Sequence, residues 1–266
     1  MVVETWVKRF LLRLTDDPEA VSSQRWESSP GLSSLTGALE TRAISRDIVV
    51  FSQTWQYFGR QVLYALPGRS HPWYPMSASQ EVLDYVANLT PTAHAVFFYD
   101  ADKVAAEVFA AFVNGGVERK QTTYFVSPSR EVYTHLLELG RVKIDELEKA
   151  GHLNHISSAE FYFDGGRLSC KKVLENAQIL IRRTHESGFK AMRLISMADW
   201  DSLPTSVSAP DVVAYERAIG KICPPEMSAI CSYNARKSID RGGHEFFIDL
   251  LQAHGHIVFK GLASKT

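Results

Sequence analysis

His94-Ala-Val-Phe-Phe-Tyr99-Asp100 is the stretch on which the reading of this chain turns. Residues 95–99 are an unbroken apolar and aromatic run, closed by an aspartate. Such a run marks a strand buried on both faces, as in a parallel sheet. A helical pattern follows from Ala101-Asp102-Lys103-Val104-Ala105-Ala106-Glu107 to Asn114-Gly115-Gly116, which reads as a helix stop near residue 113. A strand-to-helix turn of this kind is where a nucleotide-hydrolysing α/β protein carries its phosphate loop. Here the turn has no glycine to wrap a phosphate, and Asp100 and Asp102 would repel one. No Gly-Lys-Ser/Thr occurs anywhere in the chain. The stretch therefore predicts an α/β architecture and argues against P-loop hydrolysis.

Strand and helix signals alternate from there to the end. Residues 121–126 are β-branched and aromatic, hence a strand. Ser127-Pro128 offers an N-cap and a first-turn proline for a helix to about residue 139. A short charged helix is predicted over 141–150, a strand within 153–163, and an amphipathic helix over 168–185. Further strands are expected over 191–197, 226–233 and 256–260, with helices over 210–223 and 245–253. About six strands alternating with helices imply parallel pairing through right-handed crossovers, a doubly wound sheet. In open sheets of this kind ligands bind beyond the carboxyl ends of the strands. Tyr99, Asp100, Asp199, Trp200 and Tyr233 fall at or near such ends.

The first 92 residues have a different texture. Helices are predicted over 3–14, 32–42, 47–66 and 80–88, with a proline-rich linker over 67–79. This part carries 8 basic and 9 acidic residues, so it has no basic face by count. The predicted organisation is a helical region over 1–92 and an α/β domain over 93–266. Across all 266 residues, 29 basic and 30 acidic side chains leave a net charge of -1. That balance gives no general case for nucleic acid or an anionic membrane as partner. Cys170, Cys223 and Cys231 form no CxxC pair, which disfavours a disulfide scaffold and fits a reducing cytoplasm. No apolar run reaches the ~18 residues of a membrane helix, and the first residues do not read as a signal peptide.

Motifs for catalysis are sparse. There is no Gly-x-Ser-x-Gly elbow. Cys231 lies inside an apolar strand, where cysteine acts as a small hydrophobe. His254 and His256 would face the same side of a strand and begin a zinc site, but a third ligand is not evident, so no metal and no cofactor are expected. Asp199 after its strand resembles a magnesium-holding aspartate, although a helix cap has the same appearance. Tyr99, Trp200, Tyr215 and Tyr233 converge at one sheet edge in this reading. They would line an apolar pocket, with His94, Arg193 and Glu216 as its polar contacts. Glu216 is equally expected to pair with Arg193 or Arg217.

Short segments in a particular order then carry a family likeness. They are 94–100, Phe112-Val-Asn-Gly-Gly116, Ala191-Met-Arg193-Leu, Met197-Ala-Asp-Trp200, Tyr215-Glu216, Cys231-Ser-Tyr233 and His254-Gly-His-Ile-Val-Phe-Lys-Gly261. The chain resembles the MEDS family, the methanogen and methylotroph sensory domain, over about residues 93–262. Two places depart from that pattern: Gly116-Val117-Glu118-Arg119-Lys120, and Gly255 where a proline is usual. The resemblance implies a degenerate RecA/KaiC-like fold and a non-catalytic sensor of small hydrocarbon derivatives that regulates transcription or signalling. It would be cytoplasmic, with a homo-oligomeric or regulatory protein partner. Ligand-binding candidates are His94, Tyr99, Asp100, Arg193, Asp199, Trp200, Tyr215, Glu216 and Tyr233. DNA contact through a helix-turn-helix in 32–66 is less favoured than a dimerisation or docking segment. A nucleotide switch with a non-standard phosphate site and an oligomeric scaffold are the competing readings.

Overall fold

Strands that are apolar on both faces must be covered on both, and helices supply the cover. The computed structural model describes residues 77–197, 203–204, 206–259 and 262–265. Its strands are β1 (His94–Tyr99), β2 (Thr122–Ser127), β3 (Leu153–Ser157), β4 (Phe163–Asp164), β5 (Arg167–Leu168), β6 (Met192–Met197), β7 (Met227–Asn234), β8 (His256–Phe259) and β9 (Leu262–Lys265). Its helices are α1 (Gln80–Ala87), α2 (Asp102–Glu118), α3 (Arg130–Leu139), α4 (Ile144–Lys149), α5 (Ser158–Tyr162), α6 (Cys170–Glu186), α7 (Ala209–Ile222) and α8 (Ala235–Ala253). The main sheet runs in the order β3-β2-β6-β7-β1-β8-β9. Every pair in it is parallel except β8 with β9. The doubly wound, mostly parallel sheet expected from the sequence is the one observed. Helices predicted within residues 3–66 and the linker to residue 76 lie outside the described residues.

Alternation along each strand sorts the core into two layers. Ala95, Phe97 and Tyr99 of β1, Ile195 and Met197 of β6, and Ile230 of β7 pack against α1, α2 and α3. Leu194 of β6 and Ala229 of β7 face the other way, with Tyr162, Val173, Tyr215 and Ile219 from α5, α6 and α7. Phe98 packs there on Phe247 of α8, with the rings tilted and their centres 4.2 Å apart. His94 opens β1 on this second face.

Three helix boundaries differ from the sequence reading, each for a local reason. Helix α2 continues through Gly115 and Gly116 to Glu118. A Cβ at Gly115 would lie 2.2 Å from the carbonyl oxygen of Ala87, so the glycine serves close helix packing rather than termination. Helix α3 is capped by Ser129, whose hydroxyl accepts from the Val132 amide, because Ser127 still belongs to β2. Helix α8 starts at Ala235, capped by the Asn234 side chain, and Gly243 kinks it at φ 70°. Strand β9 and the β4–β5 hairpin had no separate signal. The compact α/β unit spans Met76–Thr266 and takes in α1, ahead of the division expected at residue 92.

Candidate functional site

Four polar side chains from four elements meet inside the second layer. His94 begins β1, Cys231 lies within β7, Glu216 sits on α7, and His254 is the residue after α8. Val96 is opposite Cys231 across the parallel β1–β7 pair, and His94 is two residues from Val96. His94 and Cys231 therefore project from the same face. Glu216 is brought over them by the stripe of α7 that holds Val212, Val213 and Ile219, all buried. A capping box between Ser208 and Asp211, with Pro210 in the first turn, fixes where α7 starts. Gly220 lets α7 close on the end of α8: a Cβ there would lie 2.9 Å from the Ala253 carbonyl oxygen and 3.2 Å from His94 Nδ1.

The cluster is buried. Relative exposures are 4% for His94, 1% for Glu216, 3% for Cys231 and 3% for His254. Glu216 Oε2 lies 3.3 Å from His94 Nε2 and 3.4 Å from His254 Nε2. His94 Nε2 is also 3.3 Å from Cys231 Sγ. The other carboxylate oxygen, Oε1, accepts the Tyr233 hydroxyl. His254 Nδ1 is 2.7 Å from the Leu250 carbonyl oxygen, which can only accept, so Nδ1 carries the proton. The potential ligand atoms of His94, Glu216, Cys231 and His254 all lie within 4.8 Å of one another.

Burial and charge oppose each other here. Burial pushes the Glu216 carboxyl up, but the two imidazoles facing it outweigh burial and hold it well below the usual carboxylate range. Burial, then the neighbouring His254, push His94 down, against the pull of Glu216. Burial and then Glu216 hold the Cys231 thiol well above its usual value, so it is protonated at neutral pH. The same two causes raise Tyr233, which keeps its hydroxyl a donor. A buried carboxylate with imidazole, thiol and phenol around it can hold a proton, a cation or the polar end of a ligand.

A small cavity of about 20 Å³ adjoins this cluster. Phe161, Val173, Leu194, Tyr215 and Ile219 line its apolar wall, and His94 and Cys231 form its polar end. That is roughly the room a single water-sized group needs.

The structure divides the residues picked out by sequence. His94, Tyr215, Glu216 and Tyr233 are together in the second layer. Tyr99 and Arg193 are on the opposite face of the sheet. Arg193 is fully buried there as a structural bracket. It donates through Nε to Gln121 Oε1 (2.7 Å), through Nη1 to the Phe112 carbonyl (2.8 Å), and through Nη2 to the carbonyls of Ala87 (3.0 Å) and Leu89 (3.2 Å). Its guanidinium stacks over the Phe112 ring at 4.6 Å, and burial pushes its pKa down to about 10, still charged at neutral pH. It is neither a pocket group nor the partner of Glu216. Arg217 is not that partner either, since it pairs with Asp249 at 2.6 Å. Asp100 is exposed in the bend before α2, and Asp199 and Trp200 lie outside the described residues. Cys231 and His254 complete the cluster; the sequence reading weighed Cys231 as a small hydrophobe and His254 as one half of a pair with His256, and counted neither among the ligand-binding candidates. His256, expected to pair with His254, instead meets the Tyr85 hydroxyl at 2.7 Å.

The sequence pattern of the MEDS domain (methanogen/methylotroph, DcmR sensory domain) matches residues 93–254. The chain belongs to the MEDS family. The match takes in all four residues of the cluster, with His94 and His254 at its two ends. Among solved structures, the chain is similar to the flagellar accessory protein FlaH from Methanocaldococcus jannaschii, with 13% identity, a TM-score of 0.44, and coverage of 66% of this chain and 75% of that one. It is also similar to the KaiC-like protein PH0186 from Pyrococcus horikoshii OT3, with 13% identity, a TM-score of 0.41, and coverage of 64% and 71%. No curated protein matches the sequence. No helix among the described residues is long and apolar enough to cross a membrane.

Proposed function

We propose that this MEDS domain is a non-catalytic sensor whose ligand is a small hydrocarbon derivative bound between β6, β7 and helices α5 to α7. One observation carries the reading: the apolar cavity ends on His94 and Cys231. A short carbon chain would lie along Phe161, Leu194 and Ile219, with its polar or halogen end at the cluster. The volume of about 20 Å³ holds little more than one water-sized group, so a one- to three-carbon molecule enters only with a shift of the α6 or α7 side chains. Such a shift is the signal that a partner subunit, a regulatory protein or the first 92 residues would read, in the cytoplasm.

The test is thermal unfolding of the full chain against a panel of one- to three-carbon halides, alcohols and amines. At least one member should raise the melting temperature in a saturable manner. Ala177→Leu, which fills the cavity from α6, should abolish that shift while the protein still unfolds cooperatively. No shift across the panel, or an unchanged shift in Ala177→Leu, contradicts the reading. Magnesium-ATP in the same assay tests the nucleotide switch. That alternative has little to support it at the β1–α2 turn, where α2 starts on an uncapped Ala101 with Asp102 in its first turn.

A further inference from the structure

We propose that His94, Glu216, Cys231 and His254 bind one zinc ion. The proposal uses the same residues as the sensor reading but does not depend on a ligand entering the cavity.

His254 is fixed by the Leu250 carbonyl with its proton on Nδ1. When this imidazole is neutral, Nε2 presents a lone pair, and it faces Glu216 Oε2 at 3.4 Å. The two atoms share a proton in the metal-free protein, and a metal ion that displaced that proton would be bound by both. A backbone carbonyl on the far ring nitrogen is also the usual support of a metal-binding histidine. The hydroxyl of Tyr233 plays the corresponding part for the carboxylate by occupying Oε1 and leaving Oε2 for the centre.

Three of the six separations between the ligand atoms already match a zinc site, and all six lie within 4.8 Å, so binding draws the set together only slightly. Zinc–nitrogen and zinc–oxygen bonds of about 2.0 Å and a zinc–sulfur bond of about 2.3 Å give tetrahedral edges of roughly 3.3–3.5 Å. The His94–Glu216, His94–Cys231 and His254–Glu216 separations are 3.3, 3.3 and 3.4 Å. Four protein ligands of mixed nitrogen, sulfur and oxygen type suit zinc better than magnesium or calcium, which take oxygen ligands. Charge agrees as well. Zinc with one thiolate, one carboxylate and two neutral imidazoles is electrically neutral, as a nearly water-free site requires. The protonated Cys231 thiol must give up its proton on binding, because a coordinating thiol is deprotonated outright. No electron transfer is involved.

The experiment uses the untagged full chain, stripped with chelator and titrated with cobalt and then zinc. Cobalt should bind one ion per chain. It should show a thiolate-to-cobalt charge-transfer band and the visible bands of tetrahedral coordination, and zinc should displace it. Each zinc bound should release roughly one to two protons into unbuffered solution. Cys231→Ser should lose the charge-transfer band and weaken zinc binding by more than ~100-fold, whereas Cys170→Ser with Cys223→Ser should keep both. If Cys231→Ser does not fold, the wild-type spectrum decides alone. Folded wild type that takes up no stoichiometric cobalt or zinc, or that binds cobalt without a thiolate band, overturns the proposal. A chain that binds zinc but shifts with no member of the hydrocarbon panel overturns the sensor reading and leaves the zinc site standing.

Discussion

Glu216 and Arg193 show how burial gives two charged residues opposite uses. Glu216 is a carboxylate placed among groups that titrate. Its folded pKa is depressed, so its contribution to stability is full above the ordinary carboxylate value and is lost as pH falls toward the folded one. His94 is also depressed, so the unfolded chain takes up its proton first, and stability begins to fall below about pH 6.5. Both effects have the same sign. Stability measured by urea unfolding should therefore decline in two stages, below about pH 6.5 and again below about pH 4.5. Glu216→Gln should shrink the second stage, to which Glu148, Glu131 and Asp211 also contribute. A profile in Glu216→Gln identical to wild type would contradict the assignment. Arg193 is a permanent cation placed among carbonyls at the ends of α1 and within α2. Arg193→Met should cost on the order of 3–5 kcal/mol, since several buried acceptors lose charged donors at once. Metal uptake by the folded fraction should be unaffected. Loss of metal binding in a stably folded Arg193→Met would place Arg193 in the site after all.

At the scale of elements, two glycines set the spacing on which the layers depend. Gly115→Ala would drive a Cβ into the Ala87 carbonyl, where backbone cannot yield cheaply. Denaturant unfolding should register a loss of about 1–3 kcal/mol. Gly220→Ala presses on His94 and on the end of α8 together. Its signature should be weakened metal and ligand binding out of proportion to its effect on stability, measured as melting temperature against binding on the same sample. The elements were mostly legible in sequence, because strands buried on both faces read as continuous apolar runs. That same continuity hid which face each residue takes. Arg193 and His94 both lie in apolar strands, and only the register of β6, β7 and β1 sends them to opposite sides. Gly115-Gly116 read as a stop because the signal for termination and the signal for close packing are the same residue. One clue was available: Glu216 stands on the apolar stripe of its own helix, three and four residues from Val213, Val212 and Ile219.

Within the α/β unit, the cluster ties its last helix to its first strand. His94 opens the first strand and His254 follows the last helix, and neither has a meaning until β1, β7, α7 and α8 are assembled. Sequence spacing could not show this, because the four residues meet only through tertiary closure. His254 also sat beside His256, a more obvious but false partner. An ion bound at this point should stabilise the whole unit. At zinc about 100-fold above its dissociation constant the gain is roughly 2.7 kcal/mol, or a melting temperature about 5–10 °C higher than the stripped protein. Scanning calorimetry with and without chelator measures it, and equal melting temperatures would count against the site.

The proposed working centre lies inside the second layer and not at the carboxyl edge of the sheet. Native mass spectrometry tests it most directly, on wild type, Cys231→Ser and Asp100→Asn, each exposed to zinc and to the hydrocarbon panel. A bound species should appear on wild type and Asp100→Asn and be lost from folded Cys231→Ser. Retention in Cys231→Ser with loss in Asp100→Asn, or a wild-type chain that holds nothing, would contradict it.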